Sequence, residues 1–177
     1  MRALMTVHPS TISTPIDRIE VEVERAGSDE LKLVYRAFGD VRRVRLPESG
    51  KGRTDELWRS TCFEAFVRPV ESPRYLEVNA SPSGQWATYW FDSQRRGMTP
   101  AVEEPKEAPC RDLVDSIGLA ISLPIGSAKG DWRLGLSAVI EDIEGGLSYW
   151  ALAHPSDKPD FHHPDSFTLV LPALEHP

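Results

Sequence analysis

The sequence predicts an all-β protein: a two-sheet antiparallel β-sandwich of about ten strands, jelly-roll or immunoglobulin-like in layout. Three observations predict it. Apolar and polar residues alternate with period two in short segments along the chain. Turn residues separate those segments at regular spacing. No long stretch carries the 3.6-residue period of a helix. The 177 residues suit a single domain over 1–177, with its core over about 18–172.

The first strand alternates Ile19, Val21 and Val23 with Glu20, Glu22 and Glu24, the pattern of a half-buried strand. The turn-forming run AGSDE then leads into a second, Leu31 to Phe38. Val41 to Leu46 alternates again and reads as an edge-like strand reached through Gly39-Asp40. PESGKGRTDE is a polar loop. Three consecutive strands follow between Trp58 and Phe91. In the first of these, Phe63, Ala65 and Val67 oppose Cys62, Glu64, Phe66 and Arg68. In the next, Leu76, Val78 and Ala80 oppose Tyr75, Glu77 and Asn79. In the last, Trp86 and Trp90 lie on the face opposite Tyr89 and Phe91, so one pair points away from the core. Residues 92–112 contain three prolines and many charges and read as a long irregular loop, with short helical turns near Asp112–Asp115. Strands resume at Ile117–Leu123, Trp132–Glu141, Leu147–Ala153 and Phe167–Leu171, with a Gly145-Gly146 hairpin turn. In the segment from Trp132, Leu134, Leu136, Ala138 and Ile140 share one face. Arg133, Gly135, Ser137 and Val139 share the other, which leaves room for a ligand backed by a positive charge and equally suits an ordinary wet surface.

The formal net charge is −7 with mixed signs, so the chain lacks the basic footprint of a nucleic-acid or anionic-membrane binder. Two cysteines, Cys62 and Cys110, are too few for a disulfide framework and read as reduced thiols. The segment MRALMTVHPSTISTP lacks the apolar stretch of a secretory signal, and no apolar run reaches membrane-spanning length. The expectation is a cytoplasmic protein.

The dressed faces of the central strands point either to a polar ligand or to a solvated outer face, on which Cys62, Phe66 and Tyr75 would sit oddly. Carboxylates, an amide, an arginine and aromatic rings share one side of the sheet. Sugars present weakly apolar C–H faces edged with hydroxyls, which suit aromatic platforms with polar edges. Tyr89 or Trp86 would complete such a platform beside Glu77 and Asn79.

These residues also resemble a known family. Trp58, then CFEAFVRP, then Tyr75-Leu-Glu-Val-Asn and Ser81-Pro-Ser-Gly-Gln-Trp86 are similar to the central signature of the DOMON-like superfamily, in its branch resembling family 9 carbohydrate-binding modules. Trp150, followed by KPDFHHPDSF at 158–167, resembles that family's closing segment. The resemblance implies a β-sandwich with a ligand cleft on one sheet and no catalysis, for a carbohydrate or cell-wall-derived sugar. It implies Trp58, Arg59, Glu64, Glu77, Asn79 and Trp150 as ligand-binding positions, with His162 supporting the closing loop. Haem binding in related branches gives a first alternative, a haem- or metal-binding redox module on the same fold.

The second alternative is a small glycoside hydrolase using Glu64 and Glu77, since two carboxylates flanking the scissile bond are the required machinery. Arg59 or Arg68 nearby would keep a carboxylate ionised, which argues against a general acid. His154, Asp160, His162 and His163 are the weak candidates for a divalent metal, in a spacing that matches no dedicated metal signature. No cofactor is expected, although Met98 could pair with a histidine on haem iron. The expected partner is a saccharide-like small molecule, with no nucleic acid and no membrane.

Overall fold

A computed structural model describes residues 1–110, 115–125 and 130–173, with side chains omitted for 108–110. The strands are β1 (Arg2–Val7), β2 (Ile16–Arg25), β3 (Glu30–Gly39), β4 (Val44–Arg45), β5 (Gly52–Arg53), β6 (Cys62–Pro69) and β7 (Tyr75–Ser81). They continue with β8 (Gln85–Phe91), β9 (Thr99–Pro100), β10 (Lys106–Cys110), β11 (Ser116–Pro124), β12 (Trp132–Asp142), β13 (Leu147–Ala151) and β14 (Leu169–Leu171). Three single 3-10 turns are the helical content of the described residues, and no helix among them is long and apolar enough to cross a membrane.

The strands form one curled sheet in the order β10-β11-β3-β2-β1-β13-β12-β6-β7-β8-β5, with β4 and β14 on β12 and β9 on β8. β1 is the splice. Arg2–Met5 pairs with β2, whereas Thr6 and Val7 cross to pair with Ala151 and Trp150 of β13. The sheet is mixed, because β5 runs parallel to β8 while the other pairs are antiparallel.

The curl turns two halves of the sheet toward each other over the main core. From one half come Ile19, Val21, Val23, Leu31, Leu33, Leu119 and Ile121; from the other Phe63, Ala65, Val67, Leu76, Val78, Ala80, Leu134 and Leu136. Tyr35 links them: its ring stacks on Phe63 at 5.0 Å, and its hydroxyl donates to the Glu64 carbonyl at 2.9 Å. Period-two alternation explains this assignment, because a one-residue slip of β6 or β7 would turn that strand's own apolar set, Phe63, Ala65 and Val67 or Leu76, Val78 and Ala80, away from the main core. The opposite face of β6, β7 and β8 carries a smaller aromatic cluster of Phe66, Tyr75, Tyr89, Phe91 and Phe167.

Several expectations need correction. The anticipated pair of separate antiparallel sheets is a single hydrogen-bonded path through β1, with one parallel pair. β1 itself was not anticipated; its apolar–polar contrast is weak, with Met5 buried and Leu4 exposed. Val41–Leu46 is a 3-10 turn at Val41–Arg43 and then only two strand residues. The 92–112 connection is not irregular throughout: β9 pairs with β8, and β10 pairs with β11 over five positions. At the other end a turn at Pro164–Ser166 precedes β14, which starts at Leu169 instead of Phe167. The helical turns expected at 112–115 fall almost wholly outside the described residues.

Candidate functional site

The face of β6, β7 and β12 turned from the main core floors a cleft of about 680 Å³. Glu64 and Phe66 rise from β6, Glu77 from β7, Phe91 from β8, and Val139 from β12. Leu147 and Tyr149 of β13, Arg95 and Met98 of the 92–98 segment, and Pro159, Phe161 and His162 of the closing segment complete the walls with Trp58 and Arg59. This volume lies in the range of small-molecule sites, roughly 300–1,000 Å³.

The two acids are the chemical centre. Glu64 is 2% exposed and accepts a hydrogen bond from Ser137 Oγ at 2.8 Å. Glu77 is 4% exposed and accepts from Asn79 Nδ2 at 2.7 Å. Burial pushes the Glu64 carboxyl up to about 8, with the Glu77 charge adding to the rise. Burial likewise pushes Glu77 up to about 7, against the Asn79 hydrogen bond and the Arg95 charge. The expectation that Arg59 or Arg68 would hold them ionised is therefore corrected. Arg59 pairs with Glu56 at 3.0 Å, and Arg68 lies over the Phe167 ring at 5.3 Å.

A hydrogen-bonded wall fixes the closing segment. Tyr75 hydroxyl accepts from the Arg95 backbone N–H at 3.3 Å and lies 2.7 Å from His162 Nδ1. With that hydroxyl donating to Nδ1, the ring proton sits on Nε2, which faces Glu77 Oε2 at 3.8 Å. Desolvation pushes His162 down to about 4, so the ring is neutral at neutral pH. Arg95 donates to Asp160 Oδ1 from both Nε and a terminal nitrogen, at 3.2 and 2.9 Å, and Asp160 Oδ1 also accepts from His162 N–H at 3.1 Å. Among the described residues the two non-glycine positions with positive φ are Arg95 at 55° and Glu56 at 62°. Both flank the cleft. Held backbone strain of this kind gathers at ligand sites.

Four of the residues expected to bind ligand, Trp58, Arg59, Glu64 and Glu77, line this cleft together. Asn79 is fully buried behind them and orients Glu77. Tyr89 is also beneath the surface: it meets Trp58 edge-on at 6.2 Å, and its hydroxyl donates to Asp55 at 2.6 Å. The other two are on the wrong side. Trp86 packs against the main core with Trp90, and Trp150 is inside that core at 4% exposure. Even-numbered positions of β8 face inward, so the outward pair is Tyr89 and Phe91.

The metal candidates do not converge. His154 Nε2 meets the Thr6 carbonyl at 2.8 Å, Asp160 is taken by Arg95, and His163 Nδ1 accepts from Asp165 N–H at 3.2 Å. No group of three or more metal-ligating side chains assembles among the described residues.

Sequence reasoning missed Arg95 and Tyr149, and it gave Ser137 and Phe161 no role of their own although both stood in segments it singled out. Ser137, on the face read as wet, is 1% exposed, and Gly135 beside it leaves room for Phe66 and Phe167. The strand parity of β12 already put Ser137 opposite the core residues, and its partner strand was the missing piece. Nothing in the local sequence marked Arg95, whereas Phe161 stood inside the closing segment that carried the family resemblance.

Comparison with solved structures gives the fold a context. A "putative carbohydrate-binding protein" from Bacteroides uniformis superposes with a TM-score of 0.72 at 16% identity, covering 97% of this chain and 85% of the other. A family 9 carbohydrate-binding module from Caldicellulosiruptor kristjanssonii, in complex with glucose, superposes with a TM-score of 0.57 at 8% identity, covering 98% and 85%. No protein-family model and no curated protein matches the sequence. At these identities the likeness is one of fold: the chain has an all-β, carbohydrate-binding-module-like architecture built on a curled mixed sheet.

Proposed function

We propose that the protein is a non-enzymatic sugar-binding module of the family 9, DOMON-like kind, and that its ligand occupies the cleft over Glu64 and Glu77. The observation that carries this reading is the composition of that cleft. Two buried carboxyls stand at its floor, while Trp58, Tyr149 and Phe161 offer rings among its walls. Ring faces cover sugar C–H surfaces, and carboxyl groups bridge adjacent hydroxyls. Both structural neighbours carry a carbohydrate-binding description, one with glucose bound, which supports the reading. A cell-wall-derived sugar and action in the cytoplasm belong to the same proposal.

Calorimetry against a panel of monosaccharides tests it. Binding by the wild type, lost in Trp58→Ala and Glu77→Gln with a cooperative melt retained in both, is the expected result. A panel without any binding would overturn it.

One observation favours hydrolysis as a second reading: a Glu64 carboxyl that stays protonated near neutrality has the character of a general acid. Hydrolysis also needs an ionised partner, and burial pushes Glu77 up as well. Turnover of aryl glycosides, abolished by Glu64→Gln, would establish catalysis.

A further inference from the structure

A second concavity adjoins the cleft. It has a volume of about 360 Å³ and lies between the loop at residues 10–13 and the β12–β13 hairpin. Ser10, Thr11, Ser13, Asp142 and Glu144 give it hydroxyl and carboxyl groups, and Ile12 is fully exposed at its edge. Leu147 and Tyr149 line both this groove and the main cleft. They are alternate residues of β13 on the face away from the core, so they form the divide that any molecule occupying both spaces must cross. The Tyr149 ring lies 6.3 Å from Phe161 of the main cleft, which continues the aromatic surface across that divide.

Both walls of the groove are fixed without a ligand. Ser10 Oγ lies 2.7 Å from His8 Nδ1, Thr11 N–H donates to the His8 carbonyl at 2.9 Å, and Thr14 Oγ1 lies 3.0 Å from Ser148 Oγ. On the hairpin side, Asp142 is held by Arg43 at 2.9 Å and accepts from Glu144 N–H at 2.8 Å. A preformed wall spares a ligand the entropic cost of ordering it.

Resting on the sugar-binding reading, we propose that cleft and groove are adjoining subsites for a neutral oligosaccharide of at least two units, with the second ring seated beyond Tyr149. The charges select against acidic chains. Carboxyl groups line both spaces, and the two arginines of the main cleft are already paired, Arg59 with Glu56 and Arg95 with Asp160. A uronate would bring like charge to Glu144 in the groove, and the cleft's two arginines would have to leave their partners to receive it. The groove serves as a length sensor: it adds contacts only once a ligand outgrows the cleft.

Calorimetry with glucose, galactose, mannose, xylose and N-acetylglucosamine, each as monomer and as β-1,4- and α-1,4-linked dimers and trimers, tests this, with oligogalacturonate as the acidic control. The expected result is that one neutral series gains on the order of tenfold in affinity from monomer to oligomer. Two variants should remove that gain while leaving monomer binding intact. Glu144→Ala deletes a polar group of the groove. Gly146→Trp fills it, since a Cβ at Gly146 meets nothing within 4 Å and the side chain enters open space. Unchanged melting temperatures confirm that both fold. Monomer binding with no dependence on chain length, or a gain that survives both variants, would overturn the second subsite and leave the sugar-binding reading intact. A preference for oligogalacturonate would overturn the assignment of a neutral ligand. No binding of any sugar would overturn both readings together.

Discussion

Glu64 and Glu77 are buried with His162 half-buried beside them, their ionisation pushed in opposite directions, and that fixes how stability depends on pH. The two carboxyls titrate at about 8 and about 7 in the fold, against 4.5 when unperturbed. Over that interval the folded state holds more protons than the unfolded chain, so their contribution is complete below about pH 4.5 and is lost as pH rises toward 8. His162 behaves in the reverse sense, at about 4 in the fold against 6.5. Its contribution is complete above about pH 6.5 and is lost as pH falls toward 4. The melting temperature should therefore peak at mildly acidic pH and decline toward pH 9. Glu64→Gln should flatten the alkaline limb, and a melting series across pH that shows the wild-type slope unchanged in this variant would refute the assignment. In Trp58→Ala the loss should be of affinity, about 2 kcal/mol or more, because a half-buried aromatic at a cleft is a typical anchor. Calorimetry on the best monosaccharide measures it.

At the scale of elements, β6 and β7 were legible from sequence and β1 and β10 were not, for a definite reason. Phe63, Ala65 and Val67 face the core while Glu64 and Phe66 face the cleft, so the alternation in the sequence is the alternation in space. β1 has no such contrast, because its role is to bridge two halves of a sheet instead of lining one of them. Met5 is its anchor at 2% exposure, and Met5→Ala should cost about 2–5 kcal/mol, read by denaturant unfolding. β10 was hidden by Pro109 and by the charges of Lys106 and Glu107, which are tolerated on a strand at the end of the sheet order. The β2–β3 unit depends on Gly39, whose φ is 150° and where an added Cβ would strike the Pro15 carbonyl and lie 2.8 Å from Ile16 Cα. Gly39→Ala should lower the melting temperature by several degrees, since backbone atoms cannot yield as a flexible side chain does. A melt indistinguishable from wild type would show that the Ile16–Gly39 end of the β2–β3 pair relaxes freely.

At the scale of the molecule, the site is assembled by curling, and curling is what a one-dimensional reading lacks. Glu64 and Glu77 are neighbours through sheet pairing and could be grouped from their strands. Tyr149 and Phe161 join them only because β13 and the closing segment are brought round the same face. Trp150 was carried to the wrong side by its family resemblance: it points into the core, and the residue before it reaches the cleft. All-β character was readable from periodicity, whereas one continuous mixed sheet depends on the splice at Met5 and Thr6, where backbone partners change without any mark in composition. The division of labour within β6 and β7 has an evolutionary corollary. The main core hangs on one set of side chains and the cleft floor on the alternate set, so substitutions at the cleft need not open a void in the main core. A lineage could vary the cleft along these two strands and leave the main core untouched, with the smaller aromatic cluster around Phe66 and Tyr75 absorbing the change.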